Sequence, residues 1–188
     1  MNAPLHRVTL DSYPHRRRPF GHQYYVLDNS WPLKEFAVLA EMGLGKTFIT
    51  ITNMGLLWAN HKITKAIVVC PKSLMRNWAR EFQDTWPEKW PMAETHVWDG
   101  MTTEREKNSW RRIARPLEPG DALRVFIINV DALITKRGKM GIESFMKRIP
   151  GDTMCVVDES TKIKSMKAQR TKAAIALGAR CQYRRILS

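Results

Sequence analysis

The stretch Ala40-Glu41-Met42-Gly43-Leu44-Gly45-Lys46-Thr47 decides the fold class, because it follows an apolar run and opens an amphipathic one. Its two glycines allow a tight turn in which backbone N–H groups approach phosphate oxygens. The helix that follows adds the positive end of its dipole. Lys46 is placed to reach the β- and γ-phosphates of ATP, and the Thr47 hydroxyl is placed to bind Mg²⁺. The stretch therefore predicts a nucleotide-binding loop whose contacts are Met42, Gly43, Leu44, Gly45, Lys46 and Thr47.

One position departs from the general pattern GxxxxGK[ST], because Ala40 stands where the first glycine is expected. A glycine-rich turn that merely precedes a helix is the alternative interpretation. The predicted strand before the loop and the predicted helix after it favour nucleotide binding, since the motif requires that context.

Short apolar runs alternate with longer amphipathic or charged segments along the chain. The runs are residues 36–40, 66–70, 95–98, 125–128 and 154–157. Most are apolar throughout, which is typical of strands buried on both faces of a parallel sheet. The segments between them predict helices around residues 48–58, 74–82, 103–114, 142–146 and 165–177. This alternation predicts an α/β fold with a doubly wound, mostly parallel sheet of the P-loop NTPase kind.

A second candidate site lies where the run at 154–157 ends in Asp158 and Glu159. Side chains at the carboxyl end of a parallel strand face the ligand crevice. Asp158 is placed to hold Mg²⁺, and Glu159 is placed to orient the attacking water. An apolar run before two acids is common by itself, and it gains weight from the phosphate loop upstream.

The composition favours a polyanionic partner. Lys and Arg outnumber Asp and Glu by 31 to 18, which gives a net charge of +13 and suggests nucleic acid before a membrane surface. Three widely spaced cysteines suit a reducing compartment, and no apolar stretch approaches the length of a signal peptide or membrane span. We expect a cytoplasmic protein that associates with the nucleoid, or a nuclear one if it is eukaryotic. The HRRR run at residues 15–18 is interpreted as a solvated or phosphate-facing charge run.

Several motifs in order resemble those of Swi/Snf-like helicase ATPases. AEMGLGKT is similar to that family's phosphate loop, commonly DEMGLGKT. AIVVCPKSLMRNWAREF at residues 66–82 and FIINVDAL at residues 126–133 resemble its next two motifs. VVDESTKIKS at residues 156–165 resembles its DEAH-type motif, and the final RRILS resembles the start of the following one. Ser160 and Thr161 replace the usual residues after the acidic pair, which blurs the subfamily.

The resemblance implies a first RecA-like domain and adds site residues by position. Gln23 corresponds to the glutamine that reads adenine upstream of the phosphate loop. Lys72, Ser73 and Arg76 fall where the family contacts the nucleic-acid backbone, and Asn129 stands where a backbone-contacting Thr is common. The implied partner is double-stranded DNA.

The same resemblance implies two parts. Residues 1–35 are expected to be an irregular, basic lead-in that carries the glutamine segment, and residues 36–188 the ATP-binding domain. The family's second RecA-like domain, which supplies an arginine finger, has no counterpart in these 188 residues. We therefore expect a fragment that needs the second domain in cis or in trans for turnover.

Three other interpretations remain open at this point. One is a DEAD-box-like or restriction-translocase subunit. Another is a basic nucleic-acid-binding module that keeps a nucleotide site without turnover. A P-loop kinase is the weakest of the three, because no lid or acceptor site is legible in the sequence.

Overall fold

The computed structural model describes residues 7–118, 120–159, 165 and 167–188. Within these ranges six strands alternate with six α-helices. The strands are β1 Glu35–Val38, β2 Lys65–Cys70, β3 Glu94–Val97, β4 Arg124–Asn129, β5 Thr153–Val157 and β6 Tyr183–Leu187. The helices are α1 Gly21–Ser30, α2 Lys46–Ala59, α3 Met75–Thr85, α4 Glu104–Ile113, α5 Lys136–Arg148 and α6 Gln169–Gly178. Short 3-10 helices at Lys72–Leu74 and Val130–Ile134 precede α3 and α5.

All strand pairs in the sheet are parallel, and the strand order is β1-β6-β5-β2-β4-β3. Because all the paired strands run in the same direction, the carboxyl ends of all six lie at the same edge. Ligands of such sheets bind at that edge, where the chain connections diverge to opposite sides. The sheet therefore brings the segments after β1, β5, β2 and β4 to one side of the molecule.

Helices cover both faces of the sheet. Alternate residues of the fully buried strand β2 point to opposite layers, since Val68 belongs to the core under α2 and α3 while Ile67 belongs to the core under α5 and α6. The predicted doubly wound α/β fold is confirmed. None of the helices in the described ranges is long and apolar enough to cross a membrane.

Three sequence-based expectations about elements need correction. The lead-in is not irregular throughout, because residues 21–30 form α1, and its Leu27 is fully buried in the core. A sixth strand, β6, was not among the five predicted, since two arginines interrupt its apolar pattern. The helix expected over residues 165–177 begins at Gln169. Ser160 and Thr161 lie outside the described residues.

Candidate functional site

The loop after β1 turns on glycines with left-handed backbone geometry. Gly43 has φ +86° and Gly45 has φ +80°, a region that glycine enters without steric cost. A side chain at Gly45 would also collide with the amide of Gln23. Gly45 is the N-cap of α2 and offers no side chain to cap the first turn, so the N-terminal end of α2 is suited to accept an anion.

Lys46 lies across this loop. Its ammonium group donates hydrogen bonds to the carbonyl oxygens of Ala40 at 2.6 Å and Glu41 at 3.2 Å. The base of the loop is tied to the neighbouring strand, because the Ala40 N–H donates to the Ser188 carbonyl at 3.1 Å. The loop and its cation are thus preformed on the sheet.

The acidic pair follows β5 at the same edge. Asp158 Oδ2 accepts a hydrogen bond from the Trp78 indole N–H at 2.8 Å, and Oδ1 accepts from the Glu159 N–H at 2.9 Å. Burial raises the pKa of Asp158 above its usual value, while these hydrogen bonds and the charge of Lys46 act in the opposite direction. Glu159 has φ +55°, an uncommon conformation for a side chain larger than glycine.

One cleft of about 520 Å³ gathers these groups. Its lining includes the predicted residues Gln23, Met42, Gly43, Gly45, Lys46, Thr47, Asp158 and Glu159. Leu44 is the exception among the predicted loop residues, since its side chain is 40% exposed and it is not part of the lining.

Gln23 contributes to the cleft from the first turn of α1 and is 7% exposed. Its Nε2 donates to the Leu44 carbonyl at 3.2 Å, and its Oε1 accepts from the Phe20 N–H at 3.0 Å. The side chain therefore supports the phosphate loop, and the remaining amide hydrogen and lone pair are the groups that an adenine would use. The adenine-reading role stays a prediction.

The four residues predicted to contact nucleic acid lie along the same sheet edge but outside the cleft lining. Lys72, Ser73 and Arg76 follow β2 and are exposed, and Lys72 forms an exposed ion pair with Asp99 at 3.7 Å. Asn129 ends β4, and its Oδ1 accepts from the Ala132 N–H at 2.9 Å. Its side chain thus caps the 3-10 helix that follows.

The cleft also contains residues that sequence reasoning did not assign to it. Trp78 was read as a core residue, although a buried indole N–H requires an acceptor and so signals a polar neighbour. The guanidinium carbon of Arg17 lies 5.4 Å from the centroid of the Phe48 ring, and its Nη2 lies 3.7 Å from Glu81 Oε2 in an ion pair. The basic run at residues 15–18 is therefore partly cleft wall rather than free charge.

Comparison with known proteins identifies the family. The family model for the SNF2-related domain matches residues 37–188, which include the phosphate loop and the acidic pair. The chain belongs to the SNF2-related domain family. This confirms the resemblance inferred from the ordered motifs.

Curated members of this family are much longer than the chain. The probable ATP-dependent DNA helicase CHR12 of Arabidopsis thaliana is 28% identical over 149 residues, which cover 79% of this chain and 12% of that protein. The DNA repair and recombination protein RAD54B of Gallus gallus is 27% identical over 199 residues, which cover 98% of this chain and 19% of that protein. The chain thus spans less than a fifth of the length of either SNF2-family relative.

Solved structures agree on the fold. The SWI2/SNF2 ATPase core of Sulfolobus solfataricus in complex with dsDNA matches with a TM-score of 0.66 at 19% identity, covering 94% of this chain and 33% of that one. The UvsW helicase of bacteriophage T4 matches with a TM-score of 0.60 at 14% identity, and the match covers 92% of this chain and 52% of that one. At these identities the likeness shows the RecA-like fold alone.

Proposed function

We propose that this chain is the ATP-binding first motor domain of a nucleic-acid-dependent ATPase that translocates on double-stranded DNA. The observation that carries the proposal is the single cleft in which Lys46, Thr47, Asp158 and Glu159 meet. A cation on the glycine loop after β1 and two acids at the end of β5, which lies on the other side of β6, are the parts that phosphoryl transfer from ATP needs on one side of the nucleotide.

Each of these side chains has a role that its chemistry supports. The Lys46 ammonium binds the β- and γ-phosphates in place of the loop carbonyls that it now contacts. The Thr47 hydroxyl and the Asp158 carboxylate offer the oxygen ligands that Mg²⁺ prefers, and they line one cleft, so the donor set fits the ion. Bound Mg²⁺ would neutralise developing phosphate charge. Glu159 orients the attacking water.

Nucleic acid is proposed to cross the exposed segment after β2. Lys72, Ser73 and Arg76 lie there at the same sheet edge as the cleft, and the net charge of +13 favours phosphate contacts. One matched structure is of a family ATPase core in complex with dsDNA, which supports duplex DNA as the partner. Because duplex DNA is the proposed partner, we also propose that the protein resides in the cytoplasm, or in the nucleus if it is eukaryotic.

Turnover is proposed to need a second domain, in cis or in trans. The transition state requires a guanidinium over the terminal phosphate, which contributes about 10³–10⁵ in rate. Arg17 and Arg18 line the cleft, and Arg17 is engaged with Phe48 and Glu81. Since the relatives extend far beyond the matched part, the missing cation is assigned to a partner domain of that kind.

Calorimetric titration of the chain with ADP in the presence of Mg²⁺ tests the nucleotide site. Lys46→Ala removes charge-assisted hydrogen bonds of about 1.5–3 kcal/mol, so affinity should fall about 10- to 100-fold. Lys139→Ala is the matched control, because Lys139 is exposed on α5 and absent from the cleft lining, and it should bind as the wild type does. Equal affinity in wild type and Lys46→Ala would remove Lys46 from the site.

A further inference from the structure

Trp78 is joined to the metal-binding carboxylate by a direct hydrogen bond. Its indole Nε1 donates to Asp158 Oδ2 at 2.8 Å, and its side chain is 1% exposed. The hydrophobic stripe of α3 buries the ring, and the ring's one polar atom faces the acid. A charge-assisted hydrogen bond in such a dry setting restrains the orientation of the carboxylate.

The same β2–α3 unit also holds the backbone of Asp158. The Asp158 N–H donates to the Val69 carbonyl at 2.8 Å, which continues the pairing of β5 with β2 by one residue. Asp158 is thus fixed from two sides by one chain segment, through the backbone at Val69 and through the side chain at Trp78.

The chain between these two anchors carries the exposed residues Lys72, Ser73 and Arg76. Arg76 and Trp78 lie in the first turn of α3, where Arg76 faces solvent and Trp78 faces the core. A shift of this turn when Arg76 contacts a phosphate would therefore move the indole N–H relative to Asp158. Arg76 is thus two residues from Trp78 along the chain, and Trp78 is linked to Asp158 by one hydrogen bond.

We propose that Trp78 is a positioning residue that aligns Asp158 for Mg²⁺ and transmits nucleic-acid contact at residues 72–76 to that carboxylate. The inference rests on the proposed function and adds the route by which the duplex regulates the nucleotide site. Partners that orient a ligating carboxylate commonly change metal affinity by about 10- to 100-fold when removed.

The test compares two tryptophan variants that each lose one indole hydrogen bond. Trp78→Phe keeps an aromatic ring in the core and removes the donor to Asp158. Trp86→Phe is the matched control, because Trp86 is fully buried and its N–H donates to the Pro91 carbonyl at 2.9 Å. For wild type and both variants, ADP affinity is measured with and without Mg²⁺, and with and without a DNA duplex at low salt.

Trp78→Phe should leave the metal-free ADP affinity within about twofold and reduce the gain from Mg²⁺ about tenfold. In the wild type the duplex should change the affinity for ADP with Mg²⁺ about fivefold or more, and Trp78→Phe should abolish that change. Trp86→Phe should retain both effects. Duplex binding itself should be the same in all three proteins.

A full gain from Mg²⁺ in Trp78→Phe would overturn the proposal. The transmitting role would be overturned if Trp78→Phe lost the Mg²⁺-dependent gain in ADP affinity but the duplex still changed its ADP affinity as in the wild type. It would also be overturned if the duplex did not change the ADP affinity of the wild type. A wild type that binds no ADP would instead refute the proposed nucleotide site.

A second measurement covers the case in which Trp78→Phe does not fold. The indole N–H resonances of the wild type are compared with those of Asp158→Asn, which weakens the acceptor and leaves Trp78 in place. The resonance that shifts in Asp158→Asn should also shift when ADP and Mg²⁺ are added to the wild type. If no indole resonance responds to both changes, the positioning role is wrong.

Discussion

His96 shows how burial at a single residue sets a pH response of the whole fold. Its ring is 1% exposed and lies among the rings of Trp98, Trp110 and Phe126. Nδ1 contacts the Ser109 hydroxyl at 3.0 Å, whereas Nε2 has no hydrogen-bond partner among the described residues. Burial in this apolar setting lowers the pKa of His96 from 6.5 to about 4.

This shift predicts a loss of stability on mild acidification. The folded state holds His96 neutral until the pH nears 4, while the unfolded chain takes up the proton below about 6.5. The free energy of unfolding should therefore fall as the pH drops between these values, with a slope approaching about 1.4 kcal/mol per pH unit. Denaturant titrations between pH ~4.5 and ~7.5 measure this slope.

His96→Gln should flatten the pH dependence of the free energy of unfolding. The control His61→Gln should leave it unchanged, because His61 is exposed. An unchanged slope in His96→Gln would contradict the assignment to His96.

Gln23 marks the limit of residue-level prediction from sequence. Motif position predicts an adenine-reading role for it, and in the structure its side chain lies against the loop that carries Lys46. Its contact with the Leu44 carbonyl could not be predicted, because it depends on how α1 packs against the turn. The link between Trp78 and Asp158 was missed for the same reason, since helical periodicity reports which face is buried and not which polar atom is met there.

At the scale of elements, the crossover from β2 to α3 presents cations at the sheet edge. Lys72 and Arg76 are exposed there, and the one ion pair of Lys72 within the described residues is a long one with Asp99, which would compete with a phosphate. A phosphate contact is sequence-independent and releases counterions. The element is therefore expected to give affinity and salt dependence rather than base specificity.

Lys72→Ala and Arg76→Ala should each weaken duplex binding about equally across unrelated sequences. Each should also lower the slope of log affinity against log salt by about 1. Fluorescence anisotropy titrations at several salt concentrations measure both quantities. Lys89→Ala is the matched control, because Lys89 is exposed beyond the other end of α3 and should leave the slope unchanged. Binding that does not depend on salt would contradict this interface.

The two elements absent from the sequence-based prediction, α1 and β6, depend on each other. Arg185 in β6 is 2% exposed, and its guanidinium donates to the carbonyls of Ser30, Leu33 and Lys34 at the end of α1 and in the loop after it. Burial lowers the pKa of Arg185 to about 10. In the sequence, an arginine whose hydrogen-bond acceptors are carbonyls of a distant segment looks like a surface residue. Neither β6 nor α1 can therefore be recognised from its own residues. The five apolar strands needed no such partner and were predicted correctly.

At the scale of the whole molecule, the sheet gathers at one edge a preformed phosphate loop, an oriented acid pair and an exposed cationic segment. This assembly explains how the chain would bind ATP and duplex DNA. Under the proposed function it would provide one side of the transition state. The relatives, of which the chain spans less than a fifth, have room for the other side. Binding without turnover is the expected behaviour of the 188 residues alone.

The most direct test of this account supplies the purified chain with Mg²⁺ and ATP labelled on both the α- and γ-phosphorus. The retained α-label counts bound nucleotide, and the released γ-label counts turnover in the same sample, with and without duplex DNA. The account predicts nucleotide binding that Lys46→Ala weakens, together with phosphate release at the background level that DNA does not raise. Absence of bound label, or robust DNA-stimulated release that Glu159→Gln abolishes, would contradict it.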